Sequence, residues 1–427
     1  MVSLRKILLK NTTYLALSEG LAMIILFLIS ILIARKLGDT IYGQFAFVLA
    51  FAQIWQVVAD FGLTMVAIKQ ITINRADTSK LLNNLLSIKL VLGIITYLLI
   101  ITSAFFLNKP FFIKELIFVA GLYLIIYTTA EMLRSVFRAH EKFKYEAFVK
   151  ISQHLLLLIL IILAINWSNL NGIVWSYVLA ASYALTLTLY LIYKKIAPLT
   201  FAWDKNIIKK LLHESWPLAL ANVFVIIYFR IDTVMLSLLA GDQPTAWYNA
   251  AYLLIFSLTF VAYILVMSVY PKLSQLAQTS LSACRKLYRH TLLLMGGAGL
   301  IILGLACAVA RWLIPYFYGV QFSPAIQIFY ILALAVFFSF LSHVWLYTLN
   351  AIGKQGGYTI ATGFGMVLNI ALNFYWIPKF SYLGAAWATV LTEIITGLTI
   401  FGLTEYYLYK HILHTDKKLI PTLQKPI

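Results

Sequence analysis

Charged residues are scarce in this chain. Only 11% of its 427 residues are Asp, Glu, Lys or Arg, against 62% apolar and 15% aromatic. So little charge leaves no surface with which to meet water, which excludes a soluble globular protein. Cysteine is nearly absent too. Cys284 and Cys307 fall at different depths of the topology derived below, one in an inner loop and one inside a span, so a disulfide between them is not expected. No group of His, Cys, Asp and Glu has metal-ligand spacing. His154 and His343 stand singly in apolar surroundings, where a structural role is expected, and "GKQGG" (353–357) lacks the spacing of a phosphate-binding loop and should simply turn the chain. No cofactor and no metal are expected.

What the chain does have is apolar runs of about twenty residues, the length that spans the hydrocarbon layer as a helix at 1.5 Å per residue. The strands of an outer-membrane barrel would be about half as long and would alternate in polarity, which these runs do not. Twelve helical spans are expected near residues 12–34, 42–67, 84–107, 115–138, 147–166, 171–193, 214–239, 245–270, 288–314, 325–350, 357–377 and 383–409. The first follows Arg5, Lys6 and Lys10 like a signal peptide, but it is too long and lacks a small-residue cleavage site, so it is read as a retained span.

The 33 cations give a net charge of +18, yet their placement argues against a nucleic-acid partner. With the N-terminus inside, 24 lie on inner segments, 6 on outer loops and 3 within spans. That is the positive-inside bias, so both termini should be cytoplasmic and the inner loops should face anionic lipid headgroups. Labelling of Cys284 from the inner side alone is the corresponding expectation.

The chain also resembles itself. "LLKNTTYLAL" (8–17) matches "LLHESWPLAL" (211–220) at five of ten positions, an offset of 203 that also superposes Gly38-Asp39 on Gly241-Asp242. "GIVWSYVL" (172–179) matches "GAAWATVL" (384–391) at an offset of 212, which lays Ala139 and Lys142 on Ala351 and Lys354. A duplicated six-span unit follows. Because six is even, the two halves share an orientation, an arrangement used by transporters that bind substrate between their halves. The expected organisation is a six-helix bundle over 1–193, an amphipathic interfacial linker over 194–213, a second bundle over 214–409 and a basic tail over 410–427. In the linker, Ile207, Ile208, Leu211 and Leu212 recur at helical spacing among lysines, which suits a helix in the headgroup layer or the first turns of span seven.

Eight ionised residues lie well inside the spans: Glu19, Asp60, Lys89, Glu131, Arg134, Arg230, Asp232 and Glu393. In "YFRIDTVML" (228–236), Arg230 and Asp232 together oppose insertion by about 5 to 7 kcal/mol. They cannot neutralise each other, because residues two apart on a helix point about 200° apart. Glu131 and Arg134, three apart, can pair. Asp60 and Lys89 lie toward the inner ends of their spans, where long side chains reach the interface. A guanidinium suits a diphosphate through its two parallel donors, and a mid-membrane carboxylate suits a coupling ion because desolvation favours protonation. Arg230, Arg134 and Lys89 are therefore the substrate-binding candidates, and Asp232, Glu19, Glu393 and Glu131 the ion-coupling candidates.

Twelve spans in two sixes, "LIARKLGDTIYGQFAF" (32–47), "RIDTVMLSLLAGDQPTAWYNAAYLL" (230–254) and the basic loop "RAHEKFKYEA" (138–147) make the chain resemble the polysaccharide and O-antigen repeat-unit flippases of the multidrug/oligosaccharidyl-lipid/polysaccharide exporter superfamily. The resemblance implies an all-α integral membrane protein, V-shaped, with two six-helix bundles about a partly cationic cavity and alternating access. It implies an undecaprenyl-diphosphate-linked oligosaccharide as substrate, moved from cytoplasmic to periplasmic leaflet of the bacterial inner membrane and coupled to a proton or sodium gradient. A monomer is expected. A drug or organic-cation exporter of the same superfamily is the alternative, with the intramembrane carboxylates as its site. A polysaccharide polymerase or ligase is disfavoured because every outer loop is about ten residues or fewer. The 203 offset sets Phe27 and Ile29 opposite Arg230 and Asp232, so the halves have diverged at that point.

Overall fold

Hydrocarbon offers a backbone amide no water to bond, so a long apolar run closes its own hydrogen bonds as a helix. The computed structural model describes the backbone of residues 2–167 and 169–419, with side chains at 11, 13–166 and 170–409. The cations of the N-terminal segment and the basic tail over 410–427 lie outside the described side chains. The chain folds into α1 (Val2–Ile54), α2 (Gln56–Asp60), α3 (Leu63–Ile73), α4 (Thr78–Phe105), α5 (Phe111–Ala139), α6 (Phe143–Trp167), α7 (Asn169–Lys195), α8 (Lys205–Leu239), α9 (Asp242–Thr279), α10 (Leu281–Tyr318), α11 (Pro324–Ala351) and α12 (Gly356–Leu419). No strand occurs among the described residues. Eleven stretches among them are long and apolar enough to cross a membrane. The first is bent at Gly38, and its latter part runs on through α2 and α3 as one span; the last is bent at Ser381 and holds two. The expected twelve spans result.

The chain divides into two compact units, Met1–Leu238 and Leu239–Ile427. In the first, Leu63, Val66, Leu82, Leu85, Met132 and Phe137 form a buried cluster with Ile208 and Leu211. Those last two belong to the expected linker, whose apolar face is therefore covered by protein: residues 205–213 are the first turns of α8. Only residues 196–204 connect α7 to α8, and they are pinned to α4. Ser79 Oγ donates to Pro198 O at 2.8 Å, Asn83 holds both the amide and the hydroxyl of Thr200, and the Asp204 amide donates to Asn84 Oδ1 at 2.7 Å.

The turns that the two offsets superpose have similar backbone conformations. Gly38 (φ 84°, ψ 176°) and Gly241 (φ 96°, ψ −176°) occupy the same region of dihedral space, one open in practice only to glycine, at the turns that the 203 offset superposes. At the 212 offset, Glu141 (φ 58°) and Gly353 (φ 71°) both turn left-handed after a helix. The amides of Lys142 and Lys354 then reach back to Phe137 O and Leu349 O at 2.7 and 2.9 Å, the same six-residue helix stop in each half. Span two departs from this symmetry. It breaks after Asp60, where Phe61 (φ 48°) and Gly62 (φ 74°) are both left-handed, whereas α9 runs through the equivalent positions unbroken. A Cβ on Gly62 would stand 2.9 Å from both Leu218 Cβ and Ser215 O of α8, so the break exists where two backbones touch.

Gly62→Ala combines the left-handed strain with that overlap and should destabilise the protein by about 2 to 4 kcal/mol, read as a lowered thermal transition in detergent. Gly38→Ala, with open space around its Cβ position, should cost only the backbone strain. Cys284 is fully buried with its Sγ 3.8 Å from Leu273 O, so it is silent to aqueous reagents and the labelling expectation moves to other positions. In a cysteine-free background, an impermeant maleimide should modify Lys205→Cys from the inner face only and Val320→Cys from the outer face only.

Candidate functional site

The charges of the first unit are gathered by three helices. On α5, Glu131, Arg134 and Arg138 are spaced three and four residues apart and share a face; on α6, Glu146, Lys150 and Gln153 do the same; α1 supplies Glu19. Arg134 is 1% exposed, and its guanidinium donates to Glu131 Oε2 at 2.5 Å and Gln153 Oε1 at 2.6 Å. The other oxygen of Glu131 accepts from Arg138 at 2.9 Å, and Arg138 Nε also reaches Glu146 Oε1 at 2.6 Å. Lys150, within electrostatic reach of Glu131 and Glu146, pairs with Glu19 at 2.5 Å. Three carboxylates and three cations alternate, so the cluster is neutral overall. Arg134 Nε and Glu146 Oε2 stay buried with no partner. The bonds from Arg134 to Gln153 and from Arg138 to Glu146 tie α5 to α6, and Lys150 ties α6 to α1.

Lys89 takes a different part from the one its position suggested. It does not reach for the interface: it is 2% exposed, and its ammonium donates to Ala59 O at 2.8 Å and Asp60 Oδ1 at 3.1 Å. Thr64 Oγ1 donates to the same Asp60 oxygen at 2.6 Å. Because α2 stops at Asp60, its last carbonyls have no intrahelical partner, and in a span no water replaces one. The lysine of α4 supplies the missing donor.

Arg230 and Asp232 lie on opposed faces of α8, as helical geometry requires: Asp232 is 5% exposed while Arg230 is half-buried. Tyr123 of α5 is within electrostatic reach of both Arg134 and Arg230. It belongs to a run of rings, Tyr42, Phe45, Tyr177, Tyr123 and Tyr127, with successive centroids 6.4, 5.8, 5.3 and 5.5 Å apart. The Arg134 guanidinium lies 5.7 Å from the Tyr127 centroid, so the run ends on the charged cluster. Glu393 is on α12 in the second unit. The structure thus brings Glu19, Glu131 and Arg134 into one network and places Lys89 at the helix break.

Four members of the network escaped sequence reasoning: Arg138 and Glu146 because "RAHEKFKYEA" (138–147) reads as a loop, and Lys150 and Gln153 because they sit at the start of the expected fifth span, 147–166. The signal was present: 131, 134 and 138, then 146, 150 and 153, are two charged helical faces separated by a three-residue turn, 140–142. His154 and His343 have the structural role expected, each ring nitrogen 2.7 Å from a carbonyl one turn back.

Three comparisons bear on this arrangement. The family model described as polysaccharide biosynthesis protein matches residues 8–277, and the MatE model matches residues 217–375. A protein of Shigella dysenteriae provisionally designated an O-antigen transporter is 23% identical over 416 residues, covering 92% of this chain and 97% of that one. Among solved structures, the lipid II flippase MurJ in an inward closed conformation superposes with a TM-score of 0.75 at 16% identity, over 91% of this chain and 87% of that one. An inward-facing multidrug resistance MATE transporter of the MOP superfamily gives 0.71 at 14% identity, over 91% and 95%. The fold is shared with these two proteins.

Glu131 is the carboxylate on which both guanidiniums depend. Glu131→Gln keeps its shape but leaves Arg134 and Arg138 short of a counter-charge, and should lower stability by about 3 to 5 kcal/mol. Lys150→Met, at the rim of the network, should cost less. Thermal unfolding of the purified variants in one detergent gives the ranking.

Proposed function

The chain belongs to the polysaccharide biosynthesis protein family, and from that premise we propose that it is a flippase for lipid-linked oligosaccharides. Its substrate is an undecaprenyl-diphosphate-linked repeat unit, carried from the cytoplasmic to the periplasmic leaflet. The two six-span halves, 1–193 and 214–409, alternate between inward and outward access in the inner membrane, with both termini cytoplasmic and the protein acting as a monomer. The observation that carries this reading is the contrast among the cations inside the spans. Arg134 and Lys89 are buried, whereas Arg230 is half-buried on α8 and so the most accessible of the three. The diphosphate is therefore assigned to Arg230, whose planar donors match two phosphate oxygens.

Glu131 is bound by two guanidiniums, which makes it a poor carrier for a mobile ion. The coupling role falls to Glu19, Asp232 or Glu393. Glu19 has its side chain 36% exposed beside Lys150, whereas Asp232 is 5% exposed. Neutralising it would release Lys150 and loosen α1 from α6, which links ion binding to helix movement.

Arg230→Ala should slow flipping of a lipid-linked oligosaccharide in proteoliposomes by about tenfold or more, the loss expected for a charge-assisted hydrogen bond of about 1.5 to 3 kcal/mol. An unchanged rate would remove the phosphate role, and transport of organic cations in place of the lipid would move the chain to the drug-exporter reading. Imposed proton and sodium gradients should each be tested on the same vesicles. One of the two should accelerate flipping, and Glu19→Gln should abolish that acceleration if Glu19 is the carrier.

A further inference from the structure

In the first unit, α4, α5 and α7 leave a groove of about 580 Å³ between them. Its walls are mostly apolar, among them Leu90, Ile94, Leu98, Ile125 and Leu189, with Lys89 and Thr129 also on the lining, and Leu199 to Phe201 of the α7–α8 connection close one end. Along α4 it runs from Leu86 to Leu98, twelve residues or ~18 Å. That is close to half the ~30 Å thickness of the hydrocarbon layer, the depth of a single leaflet. Leu90, Ile94 and Leu98 are each more than half exposed, so the groove opens on the outside of the unit, where a spanning helix meets lipid chains.

The closed end has a different chemistry. Lys194 and Lys195 precede the connection, Lys205, Lys209 and Lys210 follow it, and all five are exposed. Tyr190, Tyr193, Phe201 and Trp203 are exposed among them, with the Lys194 ammonium 5.5 Å from the Tyr190 ring centroid. Lysines interleaved with exposed aromatic rings are the signature of the headgroup level, and this cationic excess attracts anionic headgroups. Two acids lie nearby: Asp204 is shared with Lys80 at 3.8 Å, and Glu214, within reach of Lys210, is held by Lys69 and Gln70.

An apolar shaft one leaflet deep, ending at a cationic aromatic rim, has the shape and polarity of one lipid molecule. We propose that this groove is a binding site for an anionic phospholipid of the inner leaflet, with one acyl chain between α4, α5 and α7 and its phosphate at Lys194, Lys195 and Lys205. The connection over 196–204 is then held from both sides, by its hydrogen bonds to α4 and by the lipid beneath it. The site is separate from the charged network and does not depend on what the protein transports.

The test uses the full-length protein and dioleoyl phosphatidylglycerol. Native mass spectrometry after detergent exchange should show one phosphatidylglycerol retained, at least tenfold in preference to dioleoyl phosphatidylethanolamine. Ile94→Trp, at a 62% exposed position, fills the shaft without disturbing the core and should abolish retention. Lys194→Gln with Lys195→Gln should erase the preference for the anionic lipid while leaving a chain bound. Retention unchanged in Ile94→Trp would overturn the site. So would displacement of the phospholipid by undecaprenyl phosphate at equal concentration, which would make the groove a seat for a prenyl chain. Should Ile94→Trp fail to fold, a diazirine-bearing phosphatidylglycerol added to the unaltered protein decides the matter. It should cross-link to residues 86–98, and labelling spread evenly over the spans would count against the proposal.

Discussion

No water reaches the middle of a bilayer, so each charge and each unpaired backbone carbonyl there must find its partner within the protein. The structure of the first unit follows from that constraint. Span two breaks at Phe61 and Gly62 to bring its backbone against α8, and the break strands a carbonyl and exposes an aspartate. Lys89 answers both with one ammonium. A cation that would be costly alone becomes the condition on which the broken helix can exist.

The same rule shapes the network of α1, α5 and α6. One buried and one half-buried arginine beside a single glutamate would lack counter-charge, and a second glutamate and a glutamine on α6 accept from them. The result is neutral and strong, yet it retains an unpartnered nitrogen and an unpartnered oxygen.

Much of this was legible in the sequence. Hydropathy gave the spans because their length is fixed by the thickness of the layer they cross. The Glu131–Arg134 pair was legible because it is local, three residues on one helix. The internal repeat was legible from a few glycines and aspartates, and its backbone signature at Gly38 and Gly241, then at Glu141 and Gly353, shows why: those positions fix the turns between helices. The break in span two was not legible. Asp60-Phe61-Gly62 lies inside an apolar run, and nothing local distinguishes a glycine that is merely small from one pressed against another helix.

What the sequence determined by itself, then, was how often the chain crosses the membrane, where it turns, and which charges are too expensive to be accidental. These are properties of one residue or one helix against a uniform solvent, so composition and spacing suffice. Tertiary structure decided which charge meets which. Glu19 and Lys150 are 131 residues apart, and Lys89 reaches a carbonyl 30 residues upstream. Whether a buried cation faces a substrate or caps a broken helix depends on which surface packs beside it. That is settled only when the helices have chosen their neighbours.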